Sequence, residues 1–170
     1  MAAGNTYEAI AVYTTANATT NSLTFNSIPS TYTDLVLVAS VLGATNSSWT
    51  ATVRFNGDSG NNYSFTQVIG NGTAASSIRS TNASSFQFAG AVGGLSTTNP
   101  ITGICSIQNY ANTTTYKTAI GRDNDSSGTV ATVALWRNTA AINSITVFLS
   151  NTSYYFANNS VFTLYGIKSA

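Results

Sequence analysis

The sequence predicts an all-β protein, a single antiparallel β-sandwich of jelly-roll type with about ten strands. Three observations carry this. Short runs with period-two alternation of apolar and polar residues recur along the chain, separated by clusters of Gly, Asn, Ser and Asp. The apolar residues are largely Val, Ile, Phe and Tyr, which favour strands. No apolar period of 3.6 residues persists beyond two turns, and helix capping signals are absent.

The runs follow one another at spacings of 8–14 residues. YEAIAVYT (7–14) and SLTFN (22–26) open the chain. DLVLVASVL (34–42) is apolar on both faces, so it belongs at the centre of a sheet or against a neighbouring subunit. WTATVRFN (49–56) alternates most cleanly: Trp49, Ala51, Val53 and Phe55 share one face, Thr50, Thr52, Arg54 and Asn56 the other. Further strands are expected at 63–69, 85–89, 101–109 and 115–121. TVATVALWR (129–137) is again apolar on both faces. NSITVFLS (143–150) turns Ile145, Val147 and Leu149 inward, and a last strand covers 161–167. The Gly/Ser-rich stretches 69–77 and 89–100 read as surface loops. Trp49 and Trp136 read as core. With no shift in composition and no internal repeat, residues 1–170 form one domain with short flexible ends at 1–5 and 168–170. A closed barrel is the alternative architecture.

Ser, Thr and Asn make up 68 of the 170 residues, whereas charged residues make up 6%, against roughly 25% in an average globular protein. An apolar content of 43% separates the chain from disordered sequences of low hydrophobicity. A net charge of +1 resists self-association poorly, which favours a chain packed in an assembly. The six cations are dispersed and offset by five acids, so nucleic acid is not an expected partner. No apolar run approaches the length of a membrane span. The opening MAAGNTYEAIAVYT has no basic segment and carries Glu8, so it does not read as a secretory signal. Met1 stands close before the first strand, as in a whole protein. N-x-S/T triplets such as those at Asn17 and Asn151 follow from the Asn/Thr-rich composition and are not read as glycosylated.

The chain has no His and one Cys. These counts exclude an intrachain disulfide, a Cys/His zinc site and Ser-His-Asp or Cys-His catalysis. No cofactor and no catalytic residue is expected, and Cys105, among alternating apolar residues, reads as a small buried hydrophobe. The stretch NGDSGNN, with Asn56, Gly57 and Asp58 at its head, reads as a hairpin turn, because Asn-Gly tolerates positive φ at both positions. Arg54 is placed to pair with Asp58 across it. In GRDNDSSG, Asp123 and Asp125 have the spacing to face one cation, though a hydrated turn explains them as well. Glycoside hydrolysis needs two carboxylates across a cleft, and the five acids are not disposed to supply them. SNTSYYFANNS places Tyr154, Tyr155 and Phe156 in a loop among amides, suited to stacking on a sugar face or filling a protein interface; a ring folded into the core is the competing reading.

SIPSTYTDLVLVASV (27–41), VRFNGDSGNNYSF (53–65), LWRNTAAINSITV (135–147) and FTLYGI (162–167) together resemble a group of small structural proteins of tailed bacteriophages, notably phages of aquatic bacteria. The resemblance runs from Tyr7 to Ile167 and implies a β-sandwich component of the virion without enzymatic activity. Pro29 then sets the approach to the strand at 34. A short assembling sandwich without heptads or collagen-like triplets fits a capsid decoration, or cement, protein. Its expected partners are itself, as a trimer, and the major capsid protein. The alternative is a receptor-binding tip of a tail fibre, with the 154–156 aromatics on a host glycan. A bacterial surface module that binds carbohydrate is a third reading, and it lacks the expected signal peptide.

Overall fold

The computed structural model describes residues 6–91, 93–124 and 127–168. They form a two-sheet β-sandwich of twelve strands, and no helix occurs among them. In chain order the strands are β1 (Tyr7–Thr14), β2 (Ser22–Phe25), β3 (Asp34–Val41), β4 (Ala51–Phe55), β5 (Tyr63–Gly70), β6 (Ala75–Ala83), β7 (Phe86–Ala89), β8 (Ile101–Gln108), β9 (Lys117–Asn124), β10 (Thr129–Trp136), β11 (Ile145–Leu149) and β12 (Val161–Ile167). Eight make one sheet in the order β1-β12-β3-β8-β9-β10-β5-β6, and four make the other in the order β2-β11-β4-β7. Every strand pair is antiparallel.

All eleven expected strands are present, shifted at their ends by a few residues. β6 is the addition: it begins inside the stretch 69–77 that reads as a loop and runs on through residues assigned to no strand. Its nine residues, ASSIRSTNA, are exposed or half-buried throughout and include one large apolar residue, Ile78. Such a strand has no buried face to impose an alternation. It exists because the free edge of β5 offers backbone groups for pairing.

β3 and β10, the strands apolar on both faces, are both internal to the large sheet. Their inward residues Leu35, Leu37, Ala39, Val130, Ala134 and Trp136 are buried. From the small sheet, Leu23, Phe25, Val53, Phe55, Ile145 and Val147 close the sandwich. Phe55, Tyr63, Phe86 and Trp136 form one aromatic knot, with Tyr63 stacked on Trp136 at 6.2 Å and 18°. Cys105 is inside the core as expected, and burial pushes its thiol pKa up to about 12.

The ends expected to be flexible lie largely outside the described residues. Lys168 does not: its amide donates to the Thr6 carbonyl at 3.0 Å, and its ammonium pairs with Glu8. The last strand is thereby tied to the first. Inside β12, Gly166 lies directly under the ring of Tyr32, where any Cβ would collide with the ring carbons. A glycine in a strand often marks such a close approach. Here it joins the "LYGI" stretch to the "STYTDL" stretch across 134 residues.

Candidate functional site

Asn56 and Gly57 both have positive φ, 52° and 64°, and the Asp58 amide donates to the Phe55 carbonyl at 2.9 Å. This is the geometry of a type I′ turn. It does not close a hairpin, because β4 belongs to the small sheet and β5 to the large one. The turn instead carries the chain from one sheet to the other, and Asp58 organises that corner. Its Oδ2 accepts from Trp136 Nε1 at 2.7 Å and Asn62 Nδ2 at 2.9 Å, while Oδ1 accepts from the Gly60 amide at 2.9 Å. Partial burial acts to raise the Asp58 pKa. The hydrogen bonds from Trp136, Asn62, Gly60 and Asn138 outweigh it and hold the carboxyl below its ordinary value. Arg54 does not pair with Asp58. Its Nε donates to the Ser84 carbonyl at 3.1 Å, and its guanidinium lies 4.6 Å from the centre of the Phe148 ring. The turn is structural.

Asp123 is an inward-facing residue of β9 and is buried. Its Oδ2 accepts from the Gly90 amide at 2.9 Å, holding the 89–100 loop against the large sheet. Asp125 lies outside the described residues. Among the described residues no three of His, Cys, Asp and Glu gather where a metal ion could be held.

The aromatic triplet is split three ways. Phe156 is fully buried and packs edge-on against Phe162 at 5.1 Å. Tyr154 is half-buried beside the core, its ring 5.9 Å from that of Trp49. Tyr155 is 37% exposed. Trp49, expected in the core, is likewise 37% exposed, because β4 begins two residues later and Trp49 sits on the loop before it. The backbone amide of Ala44 donates to the Tyr155 carbonyl, and that of Ser47 to the Leu95 carbonyl. One end of the sandwich therefore presents Trp49, Tyr154 and Tyr155 on loops anchored to each other.

A larger apolar surface lies on the outer face of the eight-stranded sheet. One register row places Val38 of β3, Ile104 of β8, Arg122 of β9, Ala131 of β10 and Val68 of β5 side by side. The adjacent row contains Val36, Ser106, Ile120, Val133 and Thr66 in the same strands. Val68, Ile120 and Val133 are each more than half exposed. A groove of about 780 Å³ crosses six strands here, from Val38 to Ala75. Contiguous apolar surface of this kind marks an interaction site, whereas scattered apolar residues do not. The both-faces pattern of β3 and β10 announces part of it. Val68 escapes notice because the other face of β5 is also largely apolar, and Ile120 because its neighbours on the same face of β9, Thr118 and Arg122, are polar.

No protein-family model matches the chain, and no curated protein matches it either.

Proposed function

We propose that this chain is a structural protein of a tailed-bacteriophage virion, a decoration or cement protein that binds the outer surface of the capsid and stabilises it. The observation that carries the reading is the cluster of solvent-exposed apolar residues, Val68, Ile120 and Val133, on the outer face of the eight-stranded sheet, which suits it to docking. The sequence resemblance and the near absence of charge support it. Binding at many equivalent positions stabilises a shell by mass action, and a trimer would multiply that effect through avidity. The partners are further copies of the chain and the major capsid protein.

Quantitative mass spectrometry of purified virions tests the reading, with this chain ratioed to the major capsid protein. A ratio near one, or a simple fraction set by the lattice, is the expected result. A ratio of a few per cent would move the chain to the tail and overturn it.

A second reading is favoured by the Trp49–Tyr154 pair and the neighbouring Tyr155: a tail-fibre tip that stacks these rings on a host glycan. On that reading, Tyr154→Ala with Tyr155→Ala abolishes glycan binding and host adsorption. Unchanged adsorption counts against it.

A further inference from the structure

The groove on the large sheet has an uneven charge. Arg122 lies in its lining and Arg79 stands on β6 in the adjacent row, both exposed. Neither guanidinium has a hydrogen-bond or ion-pair partner among the described residues. The other four cations are occupied: Arg54 on Phe148, Arg137 on the carbonyls of Asn61 and Tyr63, Lys117 on those of Thr115 and Thr139, and Lys168 on Glu8. The described acid on this outer face, Asp34, is four residues along β3 from Val38 and accepts from the Asn109 amide at 2.7 Å. Asp123 also lines the groove, but its Oδ2 is turned to the Gly90 amide. The face thus mixes apolar residues with hydroxyls, and among the described residues its two arginines carry no ion pair.

We infer that the groove receives an extended segment of a different, acidic protein chain, with apolar side chains on the Val38–Ile104 and Val68 walls and a carboxylate on Arg122. Six strands spaced about 4.8 Å apart make the groove about 24 Å long, which is about seven residues of extended chain. Arg122 stands two strands from the β3 end, so the occupant carries its acid near the middle with apolar residues on both sides. A guanidinium fits a carboxylate bidentately, which fixes the register of the segment as well as adding affinity. The small floor residues Gly70, Ala75 and Ala131 leave room for a backbone to lie close. This rests on the reading of the sheet face as a docking surface and names the chemistry of its partner. The identity of the particle plays no part in it.

The test uses the full chain, labelled with 15N, and an acetylated, amidated peptide Ser-Leu-Ser-Glu-Ser-Leu-Ser, followed by amide shifts. The expected result is saturable shifts at Val38, Ile104, Arg122, Ala131 and Val68, with the Glu peptide bound at least tenfold tighter than its Gln counterpart. Arg122→Gln should erase that difference, and Ala131→Arg, which fills the floor, should abolish binding of both. Equal binding of the Glu and Gln peptides overturns the proposal, as do shifts confined to other surfaces. Laurate saturating the groove while no peptide does also overturns it, because the site would then take a lipid-like anion. A high copy number on virions combined with peptide failure removes this inference and leaves the function standing. Peptide binding with a tail-like copy number does the reverse.

Discussion

Asp58 is one of five acids in the chain, and its neighbours convert an exposed-looking turn residue into a structural clasp. It joins the loop after β4 to the indole of Trp136, a side chain 1% exposed in the aromatic knot. Removing an acceptor that serves a buried donor costs about 2 kcal/mol, because Trp136 Nε1 then loses its partner without gaining water. Asp58→Ala should therefore lower the urea midpoint at pH 7 by an amount equivalent to about 2 kcal/mol. The folded pKa lies below the unfolded one. The carboxylate's contribution is complete above the unfolded value of about 3.9 and is lost as pH falls through the folded value. The gap between the parent and Asp58→Ala should accordingly narrow below about pH 3. A gap of constant size at both pH values would show that the charge is not what holds the corner. Lys117 makes a related point. It is buried, its ammonium donates to two carbonyls at 2.8 and 3.0 Å, and burial lowers its pKa. Nothing in its alternating surroundings distinguishes it from a surface lysine.

At the scale of elements, strands whose apolar residues alternate with polar ones are legible, and β6, with one large apolar residue, is not. β8 turns Ile101, Gly103, Cys105 and Ile107 inward, and Thr102, Ser106 and Gln108, with Ile104 among them, alternate with these on the outer face. β6 has no such contrast, so only the pairing partner beside it reveals it as a strand. Turn chemistry is legible in the same limited way. Asn56–Gly57 announces a type I′ turn but cannot announce that its two strands go to different sheets, since local φ angles do not report which partner each strand finds. Gly166 links two elements through one contact with Tyr32. Gly166→Ala forces the ring to move and should cost about 1–3 kcal/mol, the range typical of overpacking. In a Tyr32→Ala background the same substitution should cost much less, because the obstructing ring is gone. A double-mutant cycle by chemical denaturation reads this directly, and strict additivity would mean that Gly166 serves another purpose.

For the whole molecule, the large sheet is closed by sequence-distant pairs. β1 finds its partner in β12, and β12 sits between β1 and β3. The N-terminal strand therefore reaches the sheet only through the C-terminal one. A chain ending at Ser160 loses β12, strands β1 and exposes the Leu35–Val41 edge of β3. It should lack a cooperative thermal transition by circular dichroism, and a truncated chain that still melts cooperatively would mean that β3 repairs its edge with β1. Such non-local closure predicts slow folding as a class property of β-sandwiches. The low charge also takes its meaning at this scale. Four of six cations are used internally, which leaves Arg79 and Arg122 as cations on an outer face that otherwise mixes apolar and hydroxyl-bearing residues.

The sequence alone determined the fold class, eleven of the twelve strands, the buried state of Cys105 and Trp136, and the Asn-Gly turn. These follow from alternation and local φ preferences, which act over a few residues and leave a direct trace in composition. Tertiary structure decided the rest. It split Tyr154, Tyr155 and Phe156 between surface and core, placed Trp49 outside, turned Arg54 away from Asp58 and assembled the groove around Arg122. Each of those outcomes depends on which distant strand lies alongside. Register across a sheet is a property of the pair, so no single strand's residues record it.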